Sequence, residues 1–180
     1  MKNAVKAIIL MFVCFAATAN AQQKIGYLNA QAVLADMTDM KAADSQLEAY
    51  AKALTNKDSL MVIAFQAKAQ AFQEKVQKGE LAPIEQEKQK KALEEEQAKI
   101  QQYEQEMQQQ MAEKRKTLYQ PVLDKVNKAI ADVAKEQSFT YVVDVTSGSL
   151  LYADEKNDLQ NAVRQKLGLP AISTTPVGGK

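Results

Sequence analysis

The chain has 180 residues, 23 Lys+Arg against 22 Asp+Glu, no histidine and one cysteine, Cys14. A near-neutral balance argues against a nucleic-acid binder, which shows a strong basic excess. Without histidine, and with its only thiol in an N-terminal segment expected to be removed, the chain lacks the commonest general base, nitrogen metal ligand and thiolate nucleophile. No Ser-His-Asp or Cys-His arrangement can form. Carboxylate-only or Ser-Lys chemistry stays formally open, but no phosphate loop, nucleophile elbow or acidic metal loop supports it. The expectation is a protein that is not an enzyme, with no catalytic, cofactor-binding or metal-binding residue and no cofactor.

Lys2 and Lys6 precede the apolar run Ala7–Ala17, and small residues follow at Ala19-Asn20-Ala21. That order predicts a secretory signal peptide over residues 1–21, cleaved after Ala21. The run is shorter than the ~20 residues a spanning helix needs. Phe12-Val13 ahead of Cys14 do not suit lipoprotein processing. Removing Lys2 and Lys6 leaves 21 basic against 22 acidic side chains, a net charge of −1. An exported chain without thiols has no disulfide, so packing and association must stabilise it.

Lys24-Ile25-Gly26-Tyr27-Leu28 reads as a short strand, and Asn29–Leu34 as a first helical turn or two. Near the other end Phe139–Val145 and Leu150–Ala153, rich in β-branched and aromatic residues, flank Thr146-Ser147-Gly148-Ser149. This predicts a β-hairpin. Asn157 and Gln160 have capping-box spacing, Leu159, Val163 and Leu167 recur at helical intervals, and Gly168 with Pro170 supplies a stop. A short terminal helix over one sheet face is expected. The body is therefore split, residues 22–40 and 121–170, and the tail 171–180 is expected to be disordered.

Between the two pieces lies a long helix-forming run, residues 41–120, broken near its middle at Gly79-Glu80-Leu81-Ala82-Pro83. Lys41–Lys78 and Ile84–Pro121 are each thirty-eight residues, which makes two matched arms of ~57 Å, with Pro121 at a helix boundary or kink. On the outgoing arm Leu47, Ala51, Leu54, Asp58, Met61, Phe65, Ala69, Phe72 and Val76 share one stripe. On the returning arm Leu93, Ile100, Tyr103, Met107, Met111, Leu118, Val122 and Val126 do the same. These stripes predict an antiparallel coiled coil. Its seam is poor, because Asp58 interrupts it and glutamine, glutamate and methionine dilute it, so the arms are expected to bend or splay. The fold class is α+β and mostly helical, a small β body with a long inserted antiparallel helical hairpin.

Lys75, Lys78, Lys88, Lys90 and Lys91 cluster at the tip, beside Lys68 and set against Glu74, Glu80, Glu85 and Glu87. They form a mixed face with only a weak electrostatic lure. Phe65, Phe72, Val76, Met107 and Met111 are candidate contributors to an apolar client-contacting surface. The body is too small to anchor such projections alone and leaves sheet edges open, so self-association is expected, with the number of subunits not fixed by these arguments.

Lys24–Asn29, the long hairpin, Tyr141-Val142-Val143-Asp144, Gly148 and Leu150–Ala153 together resemble the Skp/OmpH family of periplasmic chaperones across nearly the whole mature chain. The resemblance implies a jellyfish-like homotrimer with a jointly built β body and three helical tentacles around a cavity. It implies a periplasmic, ATP-independent holdase for unfolded outer-membrane β-barrel proteins. Well-known members are strongly basic, and this mature chain is not. No lipopolysaccharide site is carried over, and membrane-surface contact finds no support. The alternative reading is a structural or adaptor coiled-coil protein of the cell envelope.

Overall fold

The structure, a computed structural model, describes residues 23–148 and 150–172. The expected signal peptide, and most of the expected disordered tail, lie outside the described residues. The described chain is mostly helical and separates into two compact units. One ends at Val33 and resumes at Asn127, and the other is Leu34–Val126.

In the first unit, β1 (Ile25–Leu28) pairs in parallel with β2 (Tyr141–Asp144), with Ile25 opposite Tyr141 and Leu28 opposite Asp144. Asn29 then caps α1 (Ala30–Asp36), its Oδ1 accepting from the Ala32 N–H at 2.8 Å. Gln160 locks the same corner, its Oε1 accepting from the Asn29 N–H and its Nε2 donating to the Asn29 carbonyl. The far edge of β1 is used in part, because Leu159 N–H donates to the Tyr27 carbonyl at 2.9 Å.

Two expectations for this unit are corrected. Leu150–Ala153 is not a strand, so no hairpin forms. After β2 the Asp144 carboxylate accepts from the Thr146 N–H, a short 3-10 turn follows, and Gly148 adopts φ +67°. The chain turns out of the sheet there, leaving Leu151 and Tyr152 exposed. The second correction concerns the cap of α4 (Gln160–Lys166). Asn157 does not supply it; the N-cap position is Leu159, which has no side-chain cap, and the preceding Asp158 Oδ1 accepts from the Gln160 N–H at 2.7 Å. Gly168, at φ +74°, does stop that helix, with Leu169 N–H reaching back to the Arg164 carbonyl. Of the tail expected to be disordered, Ile172 is tied down, exchanging two hydrogen bonds with the Asn161 side chain.

The unit's core contains Tyr27, Leu28, Val33, Ala129, Val133, Phe139, Leu159 and Val163, with the buried Arg164 donating to the Pro170 carbonyl. Gly26 is required by close approach. A Cβ there would lie 2.8 Å from Leu159 Cδ1 and 3.0 Å from Phe139 Cδ1. Gly26→Ala is expected to cost about 1–3 kcal/mol through overpacking, read as a lower urea midpoint with an unchanged m-value.

Tyr27 is buried and its hydroxyl lacks a hydrogen-bond partner. Burial, then the Asp158, Glu155 and Asp154 carboxylates, push its phenol pKa up. The neutral phenol is thus favoured in the folded state. Stability is complete below the unfolded phenol value of about 10 and is lost as pH rises through the higher folded value. Tyr27→Phe should remove that alkaline loss and add about 1–2 kcal/mol at neutral pH by deleting an unpaired polar group. Urea unfolding at neutral and alkaline pH checks both effects.

The second unit is dominated by α2 (Thr38–Gln77) and the part of α3 (Pro83–Glu136) that lies before Asn127. The 40 and 54 residues of these helices correspond to ~60 and ~80 Å. α2 stops where Gly79 takes φ +70° and Glu80 N–H bonds the Lys75 carbonyl. α3 starts on Pro83, whose fixed φ and missing N–H suit a first helical position. Of the two places expected for Pro121, a helix boundary is not found, because it lies inside α3. The missing amide bond is tolerated because bonds between α2 and α3 hold both sides of it. Tyr119 donates to Asp44 at 2.7 Å and Lys125 pairs with Asp39 at 2.6 Å.

Candidate functional site: a helical interaction surface

The two long helices of the second unit run antiparallel, as successive cross-links show. After the Asp39–Lys125 and Asp44–Tyr119 pairs come Tyr50 to Gln110 and Tyr103 to the Leu54 carbonyl, then Lys68 to Glu96. Lys114 and Lys57 sit over the Tyr50 and Tyr103 rings. The Asp44 hydrogen bond, with burial and the carboxylate charge, raises the Tyr119 pKa.

Closure of the seam is incomplete, with Ala51, Met107, Met111 and Leu118 half-buried among its buried residues. Ala43, Leu47, Leu54, Ile100, Tyr103, Val122 and Val126 are buried. Met61, Phe65, Ala69, Phe72 and Leu93, nearer the turn, are only half-buried. Asp58 sits on this stripe with its Oδ1 buried and unpaired. Close to the turn, Phe72, Leu93, Ala71 and Ala92 line an open groove of about 380 Å³ with Lys68, Lys75, Gln89 and Glu96.

The expected client-contacting residues fall in two settings. Phe65, Phe72, Met107 and Met111 are half-buried, and Val76 is 37% exposed. Lys75, Lys78, Lys88, Lys90 and Lys91 are all exposed at the turn end; Lys75 borders the groove and Lys90 pairs loosely with Glu94 at 3.9 Å. Sequence periodicity missed the most exposed apolar side chains of the mid-arm, Leu60 at 68% and Ile63 at 61%. Their signal was a near absence of charge, since Lys68 is the only charged residue in Ser59–Gln73.

The first unit has its own exposed apolar set, Ile25, Tyr141, Leu151 and Tyr152, with Ile25 and Tyr141 paired in register. A hollow of about 620 Å³, bordered by Gln23, Lys24, Ile25, Asp154, Lys156 and Asn157, is open and polar. Lys156 is tied to Asp154 at 2.6 Å, and Lys24 stacks on Phe139 while donating to the Gln137 carbonyl. Among the described residues no group of three or more His, Cys, Asp or Glu is placed to hold a metal ion, and no helix is long and apolar enough to cross a membrane.

The family described as "Outer membrane protein (OmpH-like)" matches residues 24–167, which take in every strand and helix of the described residues from β1 to α4. The chain belongs to the OmpH-like family. Among solved structures, a candidate outer membrane chaperone (OmpH-like) from Caulobacter crescentus CB15 is similar, with a TM-score of 0.69 and 16% identity over 86% of this chain and 90% of that one. At that identity the likeness establishes a shared OmpH-like fold, a long helical hairpin with a small strand pair. No curated protein matches the sequence.

Proposed function

We propose that this OmpH-like chain is an ATP-independent holdase of the periplasm that shields unfolded outer-membrane β-barrel proteins with its helical arm, without enzymatic chemistry. The observation that carries this reading is the incompletely closed seam. Phe65, Phe72, Met107 and Met111 are neither sealed in a core nor free in water. Arms closed by such sparse contact separate at low cost, and methionine adapts to irregular apolar partners. Unfolded barrel strands alternate apolar and polar residues and aggregate in water, so shielding them needs soft apolar surface and no sequence readout.

The first unit is proposed to self-associate, as a homotrimer. Ile25, Tyr141, Leu151 and Tyr152 expose apolar surface around a two-stranded sheet, and so small a sheet is marginal without further partners. Leu150–Ala153, an apolar segment with no strand partner among the described residues, suits addition to a neighbouring edge.

The test is dilution of a urea-unfolded barrel protein into buffer with the mature chain. Suppressed light scattering at about one trimer per client is expected. Unchanged aggregation at that ratio would end the holdase reading. A compact monomer by solution mass would end the trimer, and a folded envelope protein recovered by crosslinking without client binding would favour an adaptor.

A further inference from the structure

The apolar residues that face the seam are partly covered by the opposite helix, whereas Leu60 and Ile63 are exposed as they stand. They lie three residues apart on α2, hence side by side on one face, with their Cβ atoms ~5–6 Å apart. Ala64, Ala67 and Ala71 extend the same exposed face toward the turn. Lys68, the only charge in this stretch, is held by Glu96 at 2.7 Å. The strip is therefore uncharged and apolar in the middle of an otherwise polar arm.

We infer that Leu60 and Ile63, with the alanine strip beyond them, form the first-contact site for an extended apolar segment of an unfolded client. The inference rests on the proposed holdase activity and assigns it a site. Two arguments select this occupant. Same-face side chains of an extended chain repeat every ~6.6 Å, close to the spacing of successive knobs along this strip, and the strip offers no charge to a polar or acidic partner. The second argument is area. Two large side chains and a few alanines remove only a few hundred Å² from water, well short of the ~1,200 Å² of a stable specific interface. A second copy of this chain would be held too weakly, while a client that touches many such strips and leaves again needs only weak contacts.

The test compares the full mature chain with its L60Q/I63Q variant. Glutamine keeps helix propensity and both positions are exposed, so helical content and solution mass should not change. The probe is an eight-stranded outer-membrane barrel protein diluted from urea. The variant is expected to need about tenfold more protein for half-maximal suppression of aggregation, the loss of two partly buried apolar side chains. A photo-crosslinker at position 63 should label the probe before one at position 65 does. Equal suppression by variant and wild type would overturn the inference while leaving the holdase reading intact. A fall in solution mass of the variant would also overturn it, by assigning the strip to a second copy. A wild type that fails to suppress aggregation removes the holdase reading itself.

Discussion

Leu159→Ala should cost about 2–5 kcal/mol of the first unit's stability, the usual range for emptying a buried leucine site. Leu159 is fully buried, its side chain lies against the only position in β1 that carries no Cβ, and its backbone joins the Tyr27 carbonyl to the first turn of α4. The site cannot collapse easily, because Gly26 has no side chain to move inward and Phe139 is held from above by Lys24. A cavity should persist, which places the cost toward the upper part of that range. Urea unfolding followed by far-UV circular dichroism measures it. A double-mutant cycle sharpens the test. The methyl group of Gly26→Ala fits the space that Leu159→Ala vacates, so the double variant should be less unstable than the two single costs predict, by at least ~0.5 kcal/mol. Additive costs would show that the two residues do not share this contact.

Asp58→Leu should act in the opposite direction in the second unit. The buried, unpaired Oδ1 of Asp58 carries a desolvation cost of about 1–3 kcal/mol, and leucine at that place on the stripe adds apolar contact between Leu54 and Met61. A gain of about 2–4 kcal/mol is expected, seen as a higher thermal midpoint and slower amide exchange in the middle of both arms. Asp58→Asn, which keeps a polar group in the seam, should recover much less. Under the proposed function the stabilised arm should also suppress client aggregation less well, because Phe65 and Met107 would become harder to uncover. A destabilised Asp58→Leu variant would show that the carboxylate is useful to the seam after all.

The helical hairpin was legible because its information is local. Apolar residues at three- and four-residue spacing, a glycine where the backbone must turn left-handed, and a proline at the next helix start all act within a few residues of themselves. Pro121 was legible only as a boundary or a kink, because its penalty is local while the Asp44–Tyr119 and Asp39–Lys125 contacts that flank it join it to the other arm. The sheet was harder. Leu150–Ala153 has strand composition, but β propensity reflects a fit to a half-buried sheet surface, and among the described residues no strand pairs with it. The start of α4 was placed two residues early, at Asn157, whereas Leu159 precedes the helix without a side-chain cap and Asp158 meets the Gln160 N–H. Leu60 and Ile63 were passed over because a search for one stripe treats everything off it as solvated surface. The missing charges in Ser59–Gln73 were visible all along.

The parallel pairing of β1 with β2 also constrains the order in which the chain can fold. Lys24 and Gln137, bonded to one another at the mouth of the sheet, are 113 positions apart. Joining such distant segments in a flexible chain costs roughly 4 kcal/mol in loop entropy before any strand contact repays it. Helices form in about a microsecond, whereas non-local strand pairs wait for that closure. Once the arm has zipped from its turn to the Asp39–Lys125 pair, only the short flanking stretches remain to be searched. The arm is thus the scaffold on which its own sheet assembles, and shortening it equally on both sides should change the folding rate less than loosening the Asp39–Lys125 clasp.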